Sequence, residues 1–205
     1  MTFSVWLALL GAQALISFSP GAGAVNTMSN SLTVGFRRSM WGILGQQVAL
    51  LVHIAVVAAG VGLLVASSPV AFNIIRFGGA AYLVYLGIRK LLQSPDLEEQ
   101  AEIRRAEGAF SLFRRGLWVN LLNPKAIVFF LAFIPQFIRP SEPLLGQYGI
   151  LAGTVVAIDV LVMWFFYAAT AKSFRRFTQN PRGQIVLNRV FGLLFVAVGI
   201  LLAVA

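Results

Sequence analysis

Long apolar runs separated by short polar stretches organise the chain, and two of the runs are interrupted by prolines and glycines. A helix needs about 20 consecutive apolar residues to cross the hydrocarbon of a bilayer. The first run extends from Val5 to Met28 and is broken at Ser17-Phe-Ser19-Pro20-Gly21-Ala22-Gly23. A polar stretch through Arg37 and Arg38 follows it. The second run covers Ile43 to Ala66 and ends in the turn Ser67-Ser68-Pro69; the third covers Val70 to Leu92. The fourth, Leu117 to Ile138, is interrupted by Asn120, Asn123, Pro124 and Lys125. A turn-rich loop, Arg139 to Pro143, leads to the fifth, Tyr148 to Ala171. The sixth, Val190 to Ala205, is short at its outer end. The pattern predicts an all-α polytopic membrane protein with six transmembrane helices.

Residues 93–113 are the strongly charged segment, mixing Glu98, Glu99 and Glu107 with Arg104 and Arg105. Opposite charges at helical spacing predict a short solvated helix there, acting as a linker. The expected organisation is a first three-helix repeat over 1–92, a charged cytoplasmic linker over 93–113, and a second three-helix repeat over 114–205. Three spans is an odd number, so the second half enters the membrane in the opposite sense to the first. The first helix of each half is broken at a proline, Pro20 and Pro124. Paired interrupted spans in inverted halves point to a transporter site between them.

Composition agrees with a membrane setting. Of 205 residues, 59% are hydrophobic and 11% charged, where a soluble domain carries charge on roughly a quarter of its residues. The net charge of +9 flanks the apolar runs, so it is read as a determinant of topology beside an anionic membrane surface and not as a nucleic-acid footprint. Arg37, Arg38, Arg89, Lys90, Arg104, Arg105, Arg114 and Arg115 fall on one side of a six-span arrangement, as do Lys172, Arg175, Arg176, Arg182 and Arg189. Short loops rich in Lys and Arg stay in the cytoplasm, which puts both termini outside. Met1 to Gly23 lacks the basic start and the cleavage site of a signal peptide and is read as a retained first span. The chain has no cysteine and one histidine. That excludes disulfides and thiolate metal sites, and no metal or cofactor site is expected.

The chemistry concentrates at the two breaks. Pro20, Gly21 and Gly23 open the first helix and let a substrate approach backbone groups. The alternative is a purely structural kink. Asn120, Asn123, Pro124 and Lys125 open the fourth run, and an ammonium at such a depth is costly unless protein or water surrounds it. Lys125 either faces the cavity as a partner for a carboxylate or snorkels to the interface. Asp159 lies near the middle of the fifth run; it either binds a substrate ammonium, carries the proton that drives transport, or makes a structural pair with Lys125 or a hydroxyl. Gln46 and His53, in the second run, are pathway candidates, the histidine either titrating or buried neutral against another helix. Gly149 and Gly153 form a small-residue face that packs within the fold or against a second copy of the chain.

Asn123-Pro124-Lys125-Ala126, with Phe129-Phe130 and Phe133-Ile-Pro135-Gln136-Phe137 after it, resembles the second-half motif of the lysine exporter superfamily. The likeness is to its homoserine/threonine resistance branch of amino-acid exporters. Ser19-Pro20-Gly21 resembles the start of the family's first-span motif, with Ala22 where a second proline is usual. Asp159 also fits the family pattern. The resemblance implies export of amino acids or related small metabolites across the bacterial inner membrane, powered by the proton motive force. Other readings stay open: an inorganic-cation exporter of the same superfamily, a membrane-embedded enzyme, or a structural subunit. A hard cation wants several oxygen ligands, and an enzyme wants a catalytic constellation that one histidine and one embedded aspartate do not supply.

Overall fold

The computed structural model describes residues 1–67, 69–93, 108–139, 141–173 and 180–204, and the regular structure among them is helical. Helix α1, Phe3–Phe18, stops where Pro20 forces the residue before it out of helical geometry; Ser19 is extended at φ −71°, ψ 114°. Helix α2, Ala22–Val34, starts after an extended Gly21 and turns 57° from α1. It ends at Gly35, whose φ of 87° suits glycine, and α3 starts at once, running from Phe36 to Ser67. The polar stretch expected around Arg37 and Arg38 is therefore the first turn of α3. One left-handed glycine makes the whole corner, and no loop is needed.

Helix α4 spans Pro69–Leu92. The linker expected over 93–113 lies mostly outside the described residues, and its last part, from Ala109, already belongs to helix α5, Ala109–Leu121. Helix α6, Pro124–Phe133, continues as a tight turn through Ile134–Phe137, and this second broken pair bends by 59°. Here the restart is capped: the Asn123 side chain accepts from the Lys125 amide at 3.1 Å, and Pro124 takes the first helical position, where no N–H is needed. Helix α7, Leu144–Val160, widens into a π-helical segment, Leu161–Ala168. Helix α8 is Pro181–Val204, so it starts well before the sixth apolar run and extends it at the end opposite the C-terminus. Its start repeats the same device, with Asn180 Oδ1 accepting from the Arg182 amide at 3.0 Å ahead of Pro181.

Among the described residues, two helices, Phe36–Gly60 and Leu144–Ala168, are long and apolar enough to cross a membrane, and each bent pair adds one more if counted as a single span. Large apolar side chains face outward: Val56, Ile74, Phe110 and Leu145 are 59%, 67%, 75% and 89% exposed. Polar side chains such as Gln13, Thr27, Asn30, Gln46 and Asp159 are buried. That inversion of the soluble pattern is what a hydrocarbon solvent demands.

Glycines let helices approach backbone to backbone. A Cβ on Gly116 of α5 would run into the Gly42 carbonyl of α3, and one on Gly87 of α4 would meet the Gly192 carbonyl of α8 at 2.6 Å. A main apolar cluster joins Leu9, Leu50, Phe129, Phe130, Leu151 and Phe195, while Ala24, Ile43, Met163 and Tyr167 form a smaller one. Phe129 and Phe133 stack at 4.8 Å, and Phe137 packs on Phe133 at a tilt with the ring centres 5.0 Å apart, which stiffens α6 and the turn after it. Gly149 and Gly153 meet nothing within 4 Å and face outward from α7.

Candidate functional site

The two broken helices and α7 enclose a cavity of about 40 Å³, room for a few waters. Gly21, Gly23, Gln46, Asn120, Asn123, Lys125 and Asp159 line it, together with Gln13, Ser17 and Ser19. His53 lies on the same face of α3 but deeper in the apolar cluster, 6.0 Å from the Phe130 ring, and is not part of the lining.

Lys125 settles on backbone carbonyls and not on an acid. Its Nζ donates to the Ile16 carbonyl at 3.1 Å and to the Ser19 carbonyl at 2.6 Å, with the Phe195 ring 5.5 Å away. The reason lies in Pro20. In an unbroken helix the Ile16 carbonyl would accept from the amide of residue 20, and proline has none. The lysine of the second half supplies the missing donor, at the negative end of the α1 dipole. Tyr167, in the π-helical segment, donates to the Phe18 carbonyl at 2.5 Å, so a third carbonyl of the broken end is also met from the second half.

Asp159 sits at the last turn of α7, just before the π-helical segment; such widenings often mark functional positions. Its Oδ1 accepts from the Ser17 hydroxyl at 2.9 Å and its Oδ2 from Gln47 Nε2 at 2.7 Å. Ser17 in turn accepts from Gln13 Nε2 at 2.9 Å. Among the described residues no ion pair joins Lys125 to Asp159, although both face the same cavity.

The remaining lining is a polar seam. Gln46 Nε2 donates to the Gly23 carbonyl at 3.2 Å and to Thr27 Oγ1 at 3.0 Å, and Asn120 Nδ2 donates to the Gln46 carbonyl at 3.2 Å. Gly23 is needed there, because a Cβ would press on Gln46 Oε1 at 3.1 Å. Gly21, the residue before α2, offers no capping side chain, so the first amides of α2 open toward the cavity with the positive end of the helix behind them. Gln13 Oε1 and Ser19 Oγ are buried beside the cavity without a partner.

Of the residues singled out in the sequence, Gly21, Gly23, Gln46, Asn120, Asn123, Lys125 and Asp159 converge on one cavity, with Pro20 forming the break beside it. Sequence reasoning missed Gln13, Ser17, Ser19 and Gln47 as partners of this site. A signal was available: Gln13 and Ser17 sit four residues apart in an apolar helix, hence on one face.

Broken helices meeting over a polar cavity, in a bundle with an apolar exterior, define a membrane transporter. The chain matches the family of LysE type translocators over residues 14–205, and it belongs to that family. It is 42% identical to a homoserine/homoserine lactone efflux protein of Salmonella typhi, across 100% of this chain and 98% of the relative. An uncharacterized membrane protein of Vibrio cholerae is also 42% identical, across 100% of this chain and 99% of the relative. The membrane protein YrhP of Bacillus subtilis is 28% identical over 95% of this chain and 96% of its own. No solved structure matches. The chain is a translocator and not an enzyme.

Proposed function

We propose that this protein is a secondary exporter of small amino acids and their close derivatives from the bacterial cytoplasm, coupled to proton movement. In this reading it lies in the inner membrane as six transmembrane helices in two inverted three-helix repeats, with both termini outside. The similar bends at Pro20 and Asn123 support the repeat, and the Arg-rich loops support the orientation.

One observation carries the reading: the half-buried ammonium of Lys125 and the buried carboxylate of Asp159 share a cavity without pairing with each other. A zwitterion needs one contact of each sign. The substrate ammonium goes to Asp159, with the unpartnered Gln13 Oε1 and Ser19 Oγ as further acceptors. The carboxylate goes to Lys125 and the open amides of α2. Homoserine lactone, named for the Salmonella relative, keeps the ammonium and lacks the carboxylate. A site serving both such compounds reads chiefly the ammonium, and Asp159 is the group for it. Asp159 also suits the proton, because substrate ammonium and proton would compete for the same oxygens and so alternate.

The alternative of an inorganic-cation exporter fits less well. A hard cation needs several oxygen ligands, and no three His, Asp or Glu side chains converge among the described residues. The test is efflux from loaded proteoliposomes across a panel of amino acids, with and without an imposed pH gradient. Gradient-driven efflux of small amino acids is expected. A panel that stays silent while a metal ion is exported would overturn the reading.

A further inference from the structure

The polar face of α2 does not end at the cavity. Gly23, Thr27 and Asn30, with Asn26 beside them, follow one another at helical spacing and lead away from it toward the arginine-rich end of the bundle. There Arg115 of α5 reaches across: its Nε donates to Asn26 Oδ1 at 3.1 Å, and its Nη2 donates to Asn30 Oδ1. Because both amide oxygens face the guanidinium, both amide nitrogens face away. Asn26 and Asn30 are 8% and 0% exposed, and each Nδ2 is buried without an acceptor. Both point at the bare backbone of Gly42, where a Cβ would lie 3.6 Å from Asn26 Nδ2 and collide with Asn30 Nδ2.

A guanidinium and two unmet amide N–H₂ groups make a cluster of donors, and unmet buried donors are normally found only where something else completes them. A carboxylate is the complement, with two oxygens able to take the planar guanidinium and the amides together. No ligand fits while the α3 backbone at Gly42 closes the gap, so the site forms when α2 and α3 part. We infer that Arg115, Asn26 and Asn30 are a second binding site, which captures the substrate carboxylate at the cytoplasmic mouth before it moves along α2 to the cavity. In the closed form the same residues clamp α2 to α5. This rests on the exporter reading and on the cytoplasmic placement of the Arg115 end.

The test uses the full chain in proteoliposomes of fixed lipid composition, transporting homoserine or homoserine lactone from the side that carries Arg115. The lactone is kept intact at mildly acidic pH. Arg115→Gln is expected to raise KM for homoserine about 10-fold, the order expected for losing one charge-assisted hydrogen bond. KM for the lactone, which has no carboxylate, stays as in the wild type. Arg115→Lys recovers part of the loss. Asn26→Asp keeps the clamp, gives Arg115 a resident carboxylate and is expected to show the same selective defect, so the outcome does not depend on the folding of one variant. Equal impairment of both compounds in these variants would make the cluster structural only and overturn the inference, as would an unchanged KM for homoserine. A wild-type protein that moves neither compound would instead remove the exporter reading, and this site with it.

Discussion

Replacing Lys125 tests whether the second half of the chain repairs the break in the first. Lys125→Met keeps the length of the side chain and removes its donors, leaving the Ile16 and Ser19 carbonyls without the ammonium that meets them at 3.1 and 2.6 Å. A buried carbonyl left unsatisfied costs about 1–3 kcal/mol, and relief from burying an ammonium offsets part of two such losses. The expected net destabilisation is about 2–4 kcal/mol. In a Pro20→Ala background the new amide at position 20 can reach the Ile16 carbonyl, so one of the two carbonyls no longer depends on Lys125. The same lysine substitution should then cost about 1–2 kcal/mol less. Reversible unfolding in mixed detergent micelles, followed by the fluorescence of the four tryptophans, measures the cycle. Additivity within about 0.5 kcal/mol would refute the idea that Lys125 substitutes for the missing proline donor.

Other consequences follow from the same geometry. Asp159→Asn should leave the protein monodisperse in detergent, because an amide oxygen still accepts from Ser17, yet abolish efflux driven by a pH gradient in proteoliposomes; undiminished gradient-driven efflux would take Asp159 out of the mechanism. Ser17→Ala removes the hydroxyl between Gln13 and Asp159 and should weaken apparent substrate affinity by about 5–10-fold, the equivalent of one hydrogen bond, measured as KM for efflux. Gly116→Ala places a methyl on the α3 backbone at Gly42 and should lower unfolding stability by about 1–3 kcal/mol, whereas Gly149→Ala, with nothing within 4 Å, should cost little in the same unfolding assay. His53→Leu replaces a buried ring with an unpartnered Nε2 by a side chain that needs no partner, and should keep efflux near the wild-type rate.

Much of the architecture is local and therefore legible in the chain. Lipid requires long apolar helices, so the composition alone specifies a membrane protein. Proline acts on its own turn, so both breaks stand where Pro20 and Asn123-Pro124 predict them. Element limits were less legible where the signal was a cap and not a hydropathy change. Asn180-Pro181 starts α8 well before the apolar run at Val190, and Gly35 starts α3 ahead of Arg37 and Arg38. Both are short-range signals that outrank polarity, because a helix end needs its amides met wherever it lies.

The partners of the charged groups were decided only by the tertiary structure. Lys125 lies more than a hundred positions from the Ile16 carbonyl it meets, and Asp159 lies 142 positions from Ser17. No local rule links such positions; they meet because glycines draw α3 onto α5 and the bends bring both breaks to the cavity that Asp159 also lines. The chain alone shows a lysine and an aspartate standing inside apolar runs, where either is costly without a partner, and it leaves both a cavity and the interface open to the lysine. Which partner each found, and that the two charges were left facing a cavity and not each other, came from the packing of the halves. A charge sets the need for a complement, and only the assembled fold supplies it.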